Sequence, residues 1–136
     1  MKIEIIKFKN FYAAPNRAHY NDAGADVYLP EKVHIPRGTT RAVPLGFGVK
    51  IPDGFMGAIY PRSSLAKKRL VCELPPIDSG YRGEVHAIIT NMSNEAMSLD
   101  AGTRIGQLVV HPVVLADYVD TLGSERDTGA FGSTGE

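Results

Sequence analysis

Five stretches of the sequence carry residue types suited to an anionic ligand. Pro61-Arg62-Ser63-Ser64-Leu65-Ala66-Lys67-Lys68-Arg69 leaves a strand through Pro61 and enters a short helix. A guanidinium, two hydroxyls and the free N–H groups of a helix start make an anion socket there; an ordinary capped helix with a solvated basic face is the alternative. Ile77-Asp78-Ser79-Gly80-Tyr81-Arg82-Gly83-Glu84 reads as a turn running into a strand. Functionally, it offers the Asp78 carboxylate beside the Tyr81 ring, where a sugar or base could rest. Ala23-Gly24-Ala25-Asp26-Val27-Tyr28 places a carboxylate, Asp26, at a strand start, with a plain surface turn as the other reading. Gly102-Thr103-Arg104-Ile105-Gly106-Gln107 opens the last long strand and sets Gln107 in an apolar run, where a buried amide must find backbone or ligand partners. The last stretch, 126–135, brackets Phe131 with Arg126, Gly129, Gly132, Ser133, Thr134 and Gly135. Its glycines let backbone N–H groups approach phosphate oxygens, and its hydroxyl and cationic side chains add donors.

Other chemistries find little support. Gly46-Phe47-Gly48 lacks the third glycine of a dinucleotide fingerprint, and the tail glycines precede no Lys as a Walker loop requires. His19, His34, His86 and His111 stand apart without paired ligand spacing, so no His-built metal site is expected. Cys72 lies in an apolar strand and reads as core. Lys plus Arg and Asp plus Glu both number 15, which removes the electrostatic footprint of a nucleic-acid groove. The positive groups Arg62, Arg104 and Arg126 nonetheless fall inside the candidate anion-binding stretches. The start, MKIEIIKFKN, alternates charged and apolar residues unlike a secretory signal. The most apolar stretch, 105–116, is interrupted by Gly106, Gln107, His111 and Pro112, too short to span a bilayer. With a single cysteine, a cytoplasmic protein free of membrane contact is the expectation.

The elements that must position these residues are strands. Ile3 and Ile5 alternate with Lys2 and Glu4 over 2–8, and further β-rich runs lie at 25–29, 32–35, 39–45, 47–51, 55–60, 70–74, 84–90, 96–99 and 104–114. The 14 glycines and 9 prolines, roughly 17% of positions against about 12% ordinarily, supply turns between them, as in Pro52-Asp53-Gly54 and Asp100-Ala101-Gly102. An all-β, jelly-roll-like sandwich or distorted barrel is predicted. A single short helix is expected at 64–69, capped by Ser63 or Ser64. Residues 1–121 form the β domain and 122–136 a flexible C-terminal arm without a core of its own. That arm reaches at most about 46 Å, far enough to serve a neighbouring subunit of a body whose radius of gyration is about 14 Å.

Taken in order, the five stretches resemble the motifs of the trimeric dUTPase family over residues 23–135, nearly the whole chain. The resemblance implies a jelly-roll homotrimer with shared active sites and hydrolysis of dUTP to dUMP and pyrophosphate. This would limit uracil incorporation into DNA and supply dUMP for thymidylate synthesis. Asp78 would activate or orient the attacking water, gaining from partial burial if it acts as a base. Gln107 would hold that water or a phosphate oxygen, and Tyr81 would pack under the deoxyribose. Arg62, Ser63 and Ser64 would contact phosphates, and Asp26 would act on Mg²⁺ through its water shell. In the arm, Arg126, Ser133 and Thr134 would hold the terminal phosphate while Phe131 and Gly132 close over the uracil. The chain departs from the family in having Asp127 and Ala130 where glycines are common. Its 70–76 segment is also a few residues shorter than the family's usual uracil-reading hairpin; it lacks the Asn and Gly often seen there and has Pro75-Pro76 before Ile77. A same-fold dCTP deaminase and a nucleotide-binding sensor without turnover are the rival readings.

Overall fold

Alternation of apolar and polar residues produces ten short strands and one helical turn among the residues described by the computed structural model, 1–73 and 75–121. In chain order these are β1 (Ile5–Lys7), β2 (Ala25–Tyr28), β3 (Val33–Ile35), β4 (Thr40–Pro44), β5 (Phe47–Val49), β6 (Phe55–Pro61), α1 (Ser63–Lys67), β7 (Leu70–Glu73), β8 (His86–Asn91), β9 (Met97–Leu99) and β10 (Arg104–Pro112). All strand pairs are antiparallel. Two three-stranded sheets, β2-β10-β6 and β4-β8-β7, are joined by the pairs β1-β5 and β3-β9.

Inward residues from all these sheets meet in one apolar core. Val27, Ile59, Ile105 and Leu108 come from the first large sheet, and Val43, Leu70, Cys72, Ala87 and Ile89 from the second. Leu29, just after β2, and Ile35, the last residue of β3, are fully buried; truncating either to Ala removes about 2–5 kcal/mol of stability. Cys72 is core, as its strand context predicts, and burial, with a smaller push from Glu73, raises its thiol to about 11. The thiol is therefore protonated near neutral pH and unreactive.

The helix departs from expectation in its cap. It covers Ser63–Lys67, and the capping position is Arg62, in extended conformation at φ −81°, ψ 146°, with no side-chain capping bond. Ser63 and Ser64 already lie within the first turn, so neither caps the helix. The helix closes at Lys68 and the chain turns through Arg69 at φ 61° into β7. Across the fold, Asn91 is fully buried at the end of β8, where it ties the following turn by donating to the Ile35 and Glu95 carbonyls, both at 2.9 Å.

Candidate active site

The predicted site residues fall into two groups on this chain. The first lies on the β2-β10-β6 sheet. Asp26 sits opposite Gln107 in the β2–β10 register, and Gln107 sits opposite Tyr60 on β6. The Asp26 carboxylate accepts from Arg104 Nη1 at 3.2 Å and from Gln107 Nε2 at 3.4 Å. In an uninterrupted strand, residues three apart face opposite sides of the sheet. The β10 register shifts between Arg104 and Gly106, so the extra residue, Ile105, turns into the core and both polar side chains reach the same carboxylate. Gly24 lies under Gln107; a Cβ there would come within 2.7 Å of Gln107 Cβ, so only glycine admits the amide.

Immediately beyond this row, β6 ends beside Gly106, and the Arg62 N–H donates to the Ile105 carbonyl at 3.1 Å. Register therefore delivers the start of α1 to the neighbourhood of Asp26 and Gln107. Among the described residues, Arg62 has no ion-pair partner and the hydroxyls of Ser63 and Ser64 make no hydrogen bond, leaving these groups unspent.

The second group surrounds a cavity of about 310 Å³ lined by Pro75, Pro76, Ile77, Asp78, Tyr81, Glu84, Val85, His86 and Ile88. Its floor is pinned where Ile77 exchanges two backbone bonds with Gly57 of β6, at 2.8 and 2.9 Å. Asp78 follows directly and is solvent-exposed. Its carbonyl accepts the Tyr81 N–H at 3.1 Å, closing a turn that the Arg82 guanidinium braces by donating to the Ser79 and Tyr81 carbonyls. The Tyr81 hydroxyl donates to the Glu84 carbonyl at 2.7 Å, laying the ring over Gly83. A Cβ at Gly83 would stand 2.6 Å from the Tyr81 oxygen, so the glycine permits this ring position.

Two expectations change, while Asp26 holds the strand start read for it. Asp26 is no surface-turn residue; it lies inside β2 at 7% exposure with a cationic partner. Gln107 is exposed, not buried, because the bulge sends it to the outer face of the sheet. Asp78 is exposed, so the partial burial expected of it is not supplied by its own chain. Arg126, Phe131, Gly132, Ser133 and Thr134 lie outside the described residues, as does the arm 122–136.

Arg104 as the partner of Asp26, and Glu84 and His86 as cavity residues, escape sequence reasoning. The period-two alternation of β8 marks His86 as outward-facing, but only the third dimension sets Tyr81 beside it. The two groups are anchored at different points of β6. Gly57 and Pro61, which anchor them on β6, stand four residues apart, about 13 Å of strand.

No three His, Cys, Asp or Glu side chains among the described residues stand close enough together to cage a metal ion. Both Asp26 carboxylate oxygens are already engaged by protein donors. The arrangement thus suits a hard divalent cation held through water and ligand phosphates, the usual habit of Mg²⁺, better than direct protein ligation.

Comparison with known proteins places these features in a family. A dUTPase family model matches residues 11–135. The deoxyuridine 5'-triphosphate nucleotidohydrolase of Crocosphaera subtropica is 36% identical, covering 99% of this chain and 99% of the relative. That of Cutibacterium acnes is 42% identical over 90% of this chain and 86% of its own. Among solved structures, the dUTPase from phage phi11 of S. aureus superposes with a TM-score of 0.82 at 22% identity, covering 92% of this chain and 99% of that one. A variant of that phage enzyme, with a TM-score of 0.81 at 23% identity and the same shares of both chains, shows the coordination of a structural Mg(II) ion. The fold of this chain is accordingly the jelly roll.

Proposed function

The chain belongs to the dUTPase family, and from that membership we propose that it hydrolyses dUTP to dUMP and pyrophosphate by attack of water on the α-phosphorus. The observation that carries the residue assignment is the side-by-side placement of a bare carboxylate, Asp78, and a pinned aromatic ring, Tyr81, at a cavity of about 310 Å³. The volume is of the size that receives a small ligand. Tyr81 supports the deoxyribose and Asp78 directs the water. As oxygen bonds to the α-phosphorus, the bond to the pyrophosphate oxygen breaks and the water's proton passes to Asp78 and then to solvent. Aiming the water is the larger contribution of Asp78.

Phosphoryl transfer needs charge neutralisation more than covalent chemistry. Arg62, Ser63 and Ser64 supply donors to the phosphates, and Gln107 holds a phosphate oxygen or the water. Asp26 would hold Mg²⁺ through the ion's water shell, and the ion when bound would neutralise phosphate charge. Arg126, Ser133, Thr134, Phe131 and Gly132 in the arm 122–136 close the site, holding the terminal phosphate and covering the base.

A homotrimer with shared sites accounts for two further features. The anchors of Asp78 and of the Asp26–Arg62 group lie four residues apart on β6, an offset that a site shared between copies would bridge. In addition, Val114, Leu115, Tyr118 and Val119 are 91%, 79%, 95% and 82% exposed, an apolar run that favours cover by another subunit. The test is pyrophosphate release from dUTP, dCTP, dTTP and UTP with Mg²⁺. Release confined to dUTP supports the reading. Ammonia from dCTP would replace it with the deaminase, and tight dUTP binding without turnover would replace it with the sensor.

A further inference from the structure

The cavity beside Tyr81 is poor in polar groups that could identify a pyrimidine. Pro75 and Pro76 form one wall and have no N–H to donate. The Ile77 N–H is spent on Gly57. Opposite stands β8, whose register with β7 runs Leu70↔Asn91 to Glu73↔Ile88. His86 lines the cavity and is exposed to it.

The imidazole is held in one tautomer. His86 Nδ1 lies 3.0 Å from the Glu84 carbonyl oxygen, the same oxygen that accepts the Tyr81 hydroxyl at 2.7 Å. A carbonyl only accepts, so Nδ1 carries the proton and both lone pairs of that oxygen are used. In the neutral ring Nε2 is then an acceptor, with no protein donor to it among the described residues. Glu84 is itself fixed, its Oε2 accepting the Gly46 N–H at 2.8 Å.

We propose that His86 is a specificity-determining residue of this site, its Nε2 accepting the N3–H of uracil while the Glu84 carbonyl holds it in register with Tyr81. The assignment rests on the dUTPase reading. Cytosine carries a lone pair at N3, which faces the Nε2 lone pair unfavourably, whereas thymine carries the same N3–H as uracil. His86 therefore separates dUTP from dCTP and is indifferent to the 5-methyl group.

The experiment is steady-state pyrophosphate release from dUTP, dCTP and dTTP by the full-length wild type, His86→Ala and His86→Gln. His86→Ala is expected to raise KM for dUTP roughly tenfold with kcat nearly unchanged and to lower the dUTP-to-dCTP ratio of kcat/KM by a similar factor, the scale of one lost base contact. The dUTP-to-dTTP ratio stays constant. His86→Gln, whose amide oxygen can accept N3–H, restores most of the loss. An unchanged dUTP-to-dCTP ratio in His86→Ala, or a Gln variant as impaired as Ala, would overturn the role of His86 while leaving the dUTPase intact. A wild type inert toward dUTP would overturn the underlying reading and the proposal with it.

Discussion

Asp26 and Asp78 are both carboxylates of the proposed site, yet they are held in contrasting ways. Asp26 lies in the middle of a strand, 7% exposed, between Arg104 and Gln107. Its surroundings are set by strand register and by one β-bulge. Asp78 stands exposed on a turn whose own side chains make no ladder, pinned at one end by Ile77 and braced by Arg82 and Tyr81. The contrast separates two tasks. A charge that organises phosphates and cation is useful when already compensated and immobile, whereas a group that handles water must remain reachable until the substrate arrives.

That difference predicts unequal responses to mutation. Asp78→Asn keeps the shape of the turn but removes the charge proposed to aim and deprotonate water. Turnover should fall by about 10²–10⁴ while dUTP binding, measured by calorimetry, and thermal stability stay near wild type. Equal turnover would remove Asp78 from the chemistry.

Arg104→Gln acts on the other carboxylate and should show up in stability as well as activity. It leaves a nearly buried charge without its cation, which costs about 1–3 kcal/mol and should appear in urea unfolding as a lower midpoint at constant slope. The same variant should weaken the dependence of turnover on Mg²⁺ concentration only modestly, because Asp26 itself remains. A variant as stable as wild type would show that the 3.2 Å pair is incidental.

The sheet was legible in the sequence because its signal is local. Alternation in 55–60 and 104–114 and the Pro-Asp-Gly turn at 52–54 suffice to mark strands, and the observed β6 and β10 fall within a residue or two of those bounds. The candidate residues were legible by type. Their partners were not, since partnership depends on register between distant strands. Nothing local shows that one extra residue at Ile105 turns Arg104 and Gln107 to the same side as Asp26. The serines at 63 and 64 misled for a related reason: Ser is a good cap by propensity, but the chain leaves β6 already extended at Arg62, so the helix starts one residue earlier than a serine cap requires. His86 looked like any outward residue of a strand because its significance comes from a carbonyl it shares with Tyr81.

In the proposed homotrimer the two halves of the site meet between copies. Asp78→Asn and Arg62→Ala each inactivate one half, so the two purified variants can be unfolded, mixed in equal amounts, refolded together and assayed for pyrophosphate release from dUTP. If each site takes Asp78 from one subunit and Arg62 from another, random mixing recovers about one quarter of wild-type activity. Activity that stays at the average of the two inactive variants, in mixed oligomers verified by size and composition, would place both residues of each site on the same chain and contradict the account.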